Sequence, residues 1–215
     1  MIGALARRLF ARRDVVLYAR ALYPSEVVDG PAGYAFAELS RADLDGCALA
    51  AQRGRMARFE WRIEQGYRCA GFRDSQGQVV SYIWIAQGRE GPSSVAIWRD
   101  VRISLVADDV FFWDCRTAPE HEGRGLYRSA LRLAADRLAT SGSRRAWIET
   151  EPGNLASRRG ITGAGFAPAA DLTIVEFAGM RWLRDAADRH WRRLPAPLRL
   201  GEDVAARQGS AAIMA

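Results

Sequence analysis

Residues 118–138, APEHEGRGLYRSALRLAADRL, follow directly on an apolar run at 110–117, VFFWDCRT, and their reading decides the fold. The run has the composition of a strand. After it come two glycines two residues apart, Gly123 and Gly125, and then apolar positions at Leu126, Leu131, Leu133, Ala134 and Leu138 that predict an amphipathic helix. Glycine lets the backbone turn sharply and approach a ligand closely. The free N–H groups and dipole of the helix start then favour an anion. Arg124 and Arg128 add positive charge beside the turn. Taken alone, the segment also fits an ordinary strand-to-helix loop.

Working outward, DVVLYARA near the N-terminus reads as a strand and YPSEVVDGPAG as a turn-rich stretch. YAFAEL (34–39) is a short apolar run, SRADLDGCALAAQ opens like a helix capped by Ser40, and RMARFEWRIEQG reads as a second helix closed by Gly66. YRCAGFRD and VVSYIWIA, joined by SQGQ, predict a hairpin, and VRISLV with VFFWDCRT around ADD predicts another antiparallel pair. Beyond the helix at 126–140 come a strand RRAWIETE, a helix over 154–163, Gly-Phe and a last strand LTIVEF. The order implies a mixed α/β fold with a mainly antiparallel central sheet flanked by helices. It divides into 1–33, an N-terminal extension or first strand, a domain over 34–178, and a basic amphipathic tail over 179–215. In the tail, Met180, Leu183, Ala187, Trp191 and Leu194 fall at helical spacing, which suits docking on the body, a partner subunit in a homodimer, or peripheral contact with an anionic membrane.

The 215 residues suffice for one domain with a sizeable core. No apolar run approaches the roughly 18 residues of a membrane span. Arginines interrupt MIGALARRLFARRD, which therefore lacks the apolar core of a signal peptide, so a cytoplasmic location is expected. All 31 basic residues are arginine, which removes lysine Schiff-base and lysine-base chemistry. The net charge of +6 suits an anionic ligand, a nucleic acid or a membrane, but no nucleic-acid-binding motif is present and no nucleic-acid partner is expected. Cys47, Cys69 and Cys115 form no CxxC pair, and His121 and His190 lie far apart, so neither disulfides nor a metal site is expected.

Two nucleotide-binding readings compete for the glycine turn. A dinucleotide site needs GxGxxG, whereas Gly123, Gly125 and Arg128 give GxGxxR, and too few strand–helix–strand units follow. The alternative rests on two motifs. TAPEHEGRGLY places Thr117 and Pro119 as V-x-P and Gly125 at the centre of [RQ]xxGx[GA], with Glu122 and Tyr127 departing at its two ends. About thirty residues on, NLASRRGITGAGF supplies Asn154, Ser157, Gly165 and Phe166. In these motifs and in element order, residues 34–178 resemble the GNAT superfamily of acyl-CoA-dependent N-acyltransferases.

The resemblance implies transfer of an acetyl or other acyl group from coenzyme A, a co-substrate, to the primary amine of a small-molecule or sugar-like acceptor. It assigns coenzyme A contacts to Cys115, Thr117, Glu122, Gly123, Arg124, Gly125, Leu126, Tyr127, Arg128, Asn154 and Ser157, with a polarising strand amide at Cys115 to Thr117. The family's tyrosine acid falls at Ile161, which leaves Tyr127 as the nearby hydroxyl. Candidate bases are Asp114, Glu149 and His121, with strand alternation setting Asp114 on the face opposite Trp113 and Cys115. Cys115 itself reads as a buried apolar strand residue. Trp61, Trp84, Trp98 and Trp113 suit either an aromatic acceptor platform or core packing. Glu122, Tyr127 and Ile161 also fit a second reading, a non-catalytic module that binds coenzyme A or a protein on the same fold.

Overall fold

The structure, a computed structural model, describes residues 10–24, 30–45, 47, 49, 55–98, 101–187, 190–194 and 198–199. Its strands are β1 (Phe10–Ala21), β2 (Ala35–Glu38), β3 (Arg68–Arg73), β4 (Val79–Gln87), β5 (Ser94–Trp98), β6 (Val101–Ser104), β7 (Asp109–Thr117), β8 (Arg145–Thr150), β9 (Ala167–Phe177), β10 (Met180–Asp185), β11 (Arg192–Arg193) and β12 (Leu198–Arg199). The helices are α1 (Arg41–Asp45), α2 (Arg55–Glu64), α3 (Leu126–Thr140) and α4 (Leu155–Gly163).

Nine strands form one sheet in the order β11-β10-β9-β1-β8-β7-β4-β3-β2. Every pair in it is antiparallel except β7 with β8. The expected mixed, mainly antiparallel sheet is thus present. Its strands are buried on both faces where they cross the centre: all nine residues of β4 are inaccessible, as are Val15 to Tyr18 of β1. Alternation sends Val15 and Leu17 into one core, with Leu44 of α1, Phe59 of α2 and Ile97 and Ile103 of the small β12-β6-β5 sheet. Val16 and Tyr18 enter the other, with Leu131 and Leu138 of α3 and Ile161 of α4.

The N-terminal strand runs through this sheet, pairing Val16 with Thr150 of β8 and Phe10 with Phe177 of β9. Two expectations need correction. β6 does not pair with β7: it pairs with β5 and β12 in the second sheet, while β7 takes β4 and β8 as neighbours. The tail residues 180–185 are strand, not helix. A turn at Ala178 and Gly179, both with positive φ (48° and 78°), folds β10 back on β9 with Met180 opposite Phe177. The free edge of β9 satisfies β10's backbone, and of the five residues at helical spacing only Leu183 is buried. Residues 200–215 of that tail lie outside the described residues. No described helix is long and apolar enough to cross a membrane.

Ser40 caps α1 as expected, exchanging bonds with Asp43: its N–H and Oγ reach Asp43 Oδ2 at 2.8 and 2.9 Å. Asp43 also pairs with Arg73 of β3 at 2.6 Å. The Arg73 guanidinium, helped by the Ser40 amide, holds the Asp43 carboxyl down to about 2. A folded pKa below the unfolded 3.8 gives stability that is present above pH 3.8 and lost as pH falls through about 2. Asp43→Asn is therefore expected to cost about 1–2 kcal/mol at neutral pH, discounted for partial exposure. Denaturant melts at pH 7 and pH 1.5 check this: the variant and wild type converge only at the acid end, below the folded value of about 2.

Candidate active site

β7 and β8 run side by side only from Asp109↔Arg145 to Phe112↔Ile148 and then part. At the start of the pair, Asp109 fastens them: its carboxylate accepts from Arg145 Nε at 3.0 Å and from Trp147 Nε1 at 2.9 Å. Beyond Phe112 a cleft of about 1030 Å³ opens between the strands, roofed by the 119–128 turn and the start of α4. Such a volume accommodates a ligand of cofactor size.

The β7 wall is irregular. Tyr82 opposes Arg116 and Trp84 opposes Trp113, so Asp114 and Cys115 together face Ile83 in a bulge, with Asp114 at φ +43°. This overturns the expected alternation. Asp114 stays on the same side as Trp113, where its Oδ2 accepts from Arg62 Nη1 of α2 at 2.6 Å, and Cys115 turns to the opposite core. The Ala118 N–H donates to Val80 O at 2.8 Å. Counting back by two along the strand turns Arg116's amide to β4 and those of Cys115 and Thr117 into the cleft. The Thr117 hydroxyl lies 3.2 Å from Ser81 Oγ.

The turn is built as its glycines imply. Gly123 and Gly125 adopt φ of +75° and +76°, and a side chain on Gly123 would meet nothing. Gly125 caps α3, and the first turn's amides at Leu126, Tyr127 and Arg128 have no carbonyl one turn earlier within the helix. Leu126 is buried in the core, while Glu122, Arg124 and Arg128 are exposed along the cleft rim. Arg124 Nη1 donates to Tyr34 Oη at 3.1 Å, and Tyr34 Oη also bonds His121 Nδ1 at 3.0 Å. His121 is thereby half-buried and held in place.

At the opposite rim Asn154 caps α4, its Oδ1 accepting from Ser157 N–H at 3.0 Å. Ser157 Oγ lies 3.1 Å from Tyr127 Oη. The Tyr127 ring, at the motif's Gly/Ala position, fits because α4 has a glycine beneath it: a Cβ on Gly160 would sit 2.5 Å from Tyr127 Cδ1. Burial pushes the Tyr127 phenol well above the ordinary tyrosine range, which makes it a weaker acid. Ile161 does not reach the cleft at all: it is fully buried in the α3–α4 core, beside Phe166.

On β8, Glu149 lines the cleft with Oε1 accepting from Arg13 Nη2 of β1 at 2.9 Å. Its other oxygen, Oε2, is buried with no hydrogen-bond partner among the described residues. Burial raises the Glu149 carboxyl, opposed by Arg13 and reinforced by Glu151. Arg13 Nη1 donates to Ile97 O at 2.5 Å and so ties β8's carboxylate to β5. Burial also raises the Cys115 thiol, followed by Asp114 and then Glu149, so Cys115 is no ready nucleophile. Trp84 is fully buried, Trp113 reaches the cleft, Trp61 is exposed on α2 and Trp98 belongs to β5.

All the residues singled out from the sequence as contacts or catalytic candidates line this one cleft. Arg13 and Arg62 were not foreseen. Each joins the site from an element distant in the chain, and no local signal marks either. Among the described residues no cluster of three His, Cys, Asp or Glu side chains forms a metal-binding group.

The sequence profile of the acetyltransferase (GNAT) family matches residues 35–166. No curated protein matches the chain. Solved structures share the fold at low identity. A GNAT-family acetyltransferase from Colwellia psychrerythraea has a TM-score of 0.54 at 16% identity, over 82% of this chain and 61% of that one. A GCN5-related N-acetyltransferase from Sphaerobacter thermophilus gives 0.55 at 10% identity, over 93% and 57%. One described as a putative GNAT acetyltransferase, from Novosphingobium aromaticivorans, gives 0.50 at 17%, over 77% and 64%. The chain thus spans less than two thirds of the length of each.

Proposed function

The chain belongs to the acetyltransferase (GNAT) family, and on that premise we propose that it moves an acyl group, most simply acetyl, from coenzyme A to the primary amine of a small-molecule acceptor. The observation that carries the reading is one cleft holding both halves of the chemistry. The amides of the 123–128 turn stand at one end, and Glu149 Oε2, buried without a hydrogen-bond partner among the described residues, belongs to the same cleft.

The residues fit an acyl-CoA substrate. A pyrophosphate needs donors at close range, and the glycine turn and the first turn of α3 offer backbone amides flanked by Arg124, Arg128 and Arg159. The cleft-facing amides of Cys115 and Thr117 can receive the pantetheine arm and the thioester oxygen. The amine nitrogen attacks the thioester carbon and a C–N bond forms, while the negative charge on the oxygen is met by the Cys115 amide. Glu149 takes the amine proton, a task suited to a carboxylate whose affinity for protons is raised by burial. The C–S bond then breaks, and coenzyme A leaves as a thiolate that takes its proton from water. Holding both reactants in one cleft supplies much of the acceleration.

The test is titration calorimetry with acetyl-CoA, longer acyl-CoAs and NAD, followed by thiol release across a panel of amines, amino sugars included. Acetyl-CoA binding with amine-dependent thiol release supports the proposal. Binding without turnover of any amine would favour the non-catalytic module, which the buried Ile161 at the family's tyrosine position also fits.

Tyr127 gives a sharper expectation. A phenol raised by burial is a poor proton donor, so Tyr127→Phe should keep turnover within a few-fold. The drop of about 10² to 10⁴ that marks a lost general acid is not expected. Steady-state thiol release at matched acetyl-CoA saturation decides between them.

A further inference from the structure

We infer that Arg62 is a positioning residue for acyl transfer, acting through Asp114 to hold the β7 bulge from which the Cys115 amide faces the cleft. This rests on the acyl-transfer reading above. Asp114 has a left-handed backbone, φ +43°, that a non-glycine residue adopts when its surroundings demand it. The demand comes from α2. Arg62 is only 8% exposed, and its guanidinium carbon stands 4.1 Å from the Trp113 ring centroid, 5.0 Å from that of Trp84 and 5.7 Å from that of Phe59.

A guanidinium stacked and buried in this way needs a carboxylate close by. Asp114 supplies it at 2.6 Å, and Arg116 Nε stands 3.6 Å from the other oxygen. To reach Arg62, Asp114 must lie on the Trp113 side of the sheet, which strand alternation forbids; the bulge resolves the conflict by adding a residue. The register beyond it shifts by one. That shift sends Cys115 to the opposite core and its amide into the cleft. With a regular strand, side chains and amides from 115 onward would exchange sides. Asp114 is therefore committed to two arginines, and its part in the reaction is exerted through the backbone.

The experiment compares wild type with Arg62→Met, Asp114→Asn, the double variant and Arg62→Lys, measuring kcat, acetyl-CoA affinity and the pH profile. Each single variant is expected to lose about 10²-fold in kcat, the scale of one misplaced oxyanion donor, with acetyl-CoA affinity held within about threefold. Because the pair acts as a unit, the double variant should match the worse single variant within about threefold. Arg62→Lys should recover part of the loss, and the pH profile should keep its shape throughout. Full kcat in folded Arg62→Met would overturn the inference. So would Asp114→Asn abolishing the acidic limb of the profile, since Asp114 would then be the base.

A readout independent of turnover separates this idea from the function it rests on. The Arg116 amide faces β4 just beyond the bulge, so its hydrogen exchange in ligand-free protein should quicken about tenfold or more in Arg62→Met. If wild type transfers no acyl group, the functional reading falls and exchange alone decides the brace, an unchanged rate sinking it. Should Asp114→Asn fail to fold, its buried arginine having lost its partner, Arg62→Met carries both measurements.

Discussion

Gly125→Asp is expected to abolish acetyl-CoA binding while leaving the chain folded. Gly125 sits at φ +76° as the cap of α3, and a Cβ there would meet only Arg128 Nη2 at 3.7 Å. Aspartate tolerates the left-handed region better than most side chains, so the fold bears the change. Its carboxylate, however, enters the ring of amides and arginines proposed to hold the pyrophosphate. Repulsion at a helix N-terminus together with lost backbone contacts should weaken binding about a hundredfold or more, roughly 3 kcal/mol. Calorimetry on a variant with wild-type circular dichroism is the check. Unchanged affinity would move the binding site away from this turn.

Glu149→Gln is expected to lower kcat by about 10² to 10⁴, the usual worth of a general base, with little change in acetyl-CoA affinity. In wild type, kcat/KM should rise with pH as Glu149 ionises. That limb should lie above the ordinary glutamate range, because burial, the largest influence, favours the neutral acid more than Arg13 opposes it. Glutamine keeps the shape but accepts no proton, so the acidic limb disappears and a low plateau remains. A variant that retains the limb and most of the rate would take the role from Glu149.

These two residues differ in how far the sequence reveals them. Gly125 is legible because its signal is local: a strand, paired glycines and an amphipathic helix lie within thirty residues, and each is set by the backbone freedom or periodicity of its own segment. Asn154 is legible on the same ground, being the cap of the helix it precedes. The carboxylate candidates could be named but not ranked. Asp114 and Glu149 differ by their partners, Arg62 and Arg13, which lie 52 and 136 residues away in the chain. Nothing within either segment announces those pairings.

The sequence by itself determined the fold class, the order of most elements, the turn, the cap of α4 and the resemblance that unites them. All of these follow from short-range patterns of apolar spacing, glycine and capping residues. Only the tertiary structure decided which strands are neighbours, and so that β1 brings Arg13 to the cleft and β6 leaves the main sheet. It decided that residues 180–185 form a strand paired antiparallel with β9, because an open strand edge satisfies their backbone where helical spacing pointed elsewhere. It also set the side on which Asp114 and Ile161 lie. A bulge held from α2 and burial between α3 and α4 override alternation and motif position, since ion pairs and packing act across space regardless of separation along the chain.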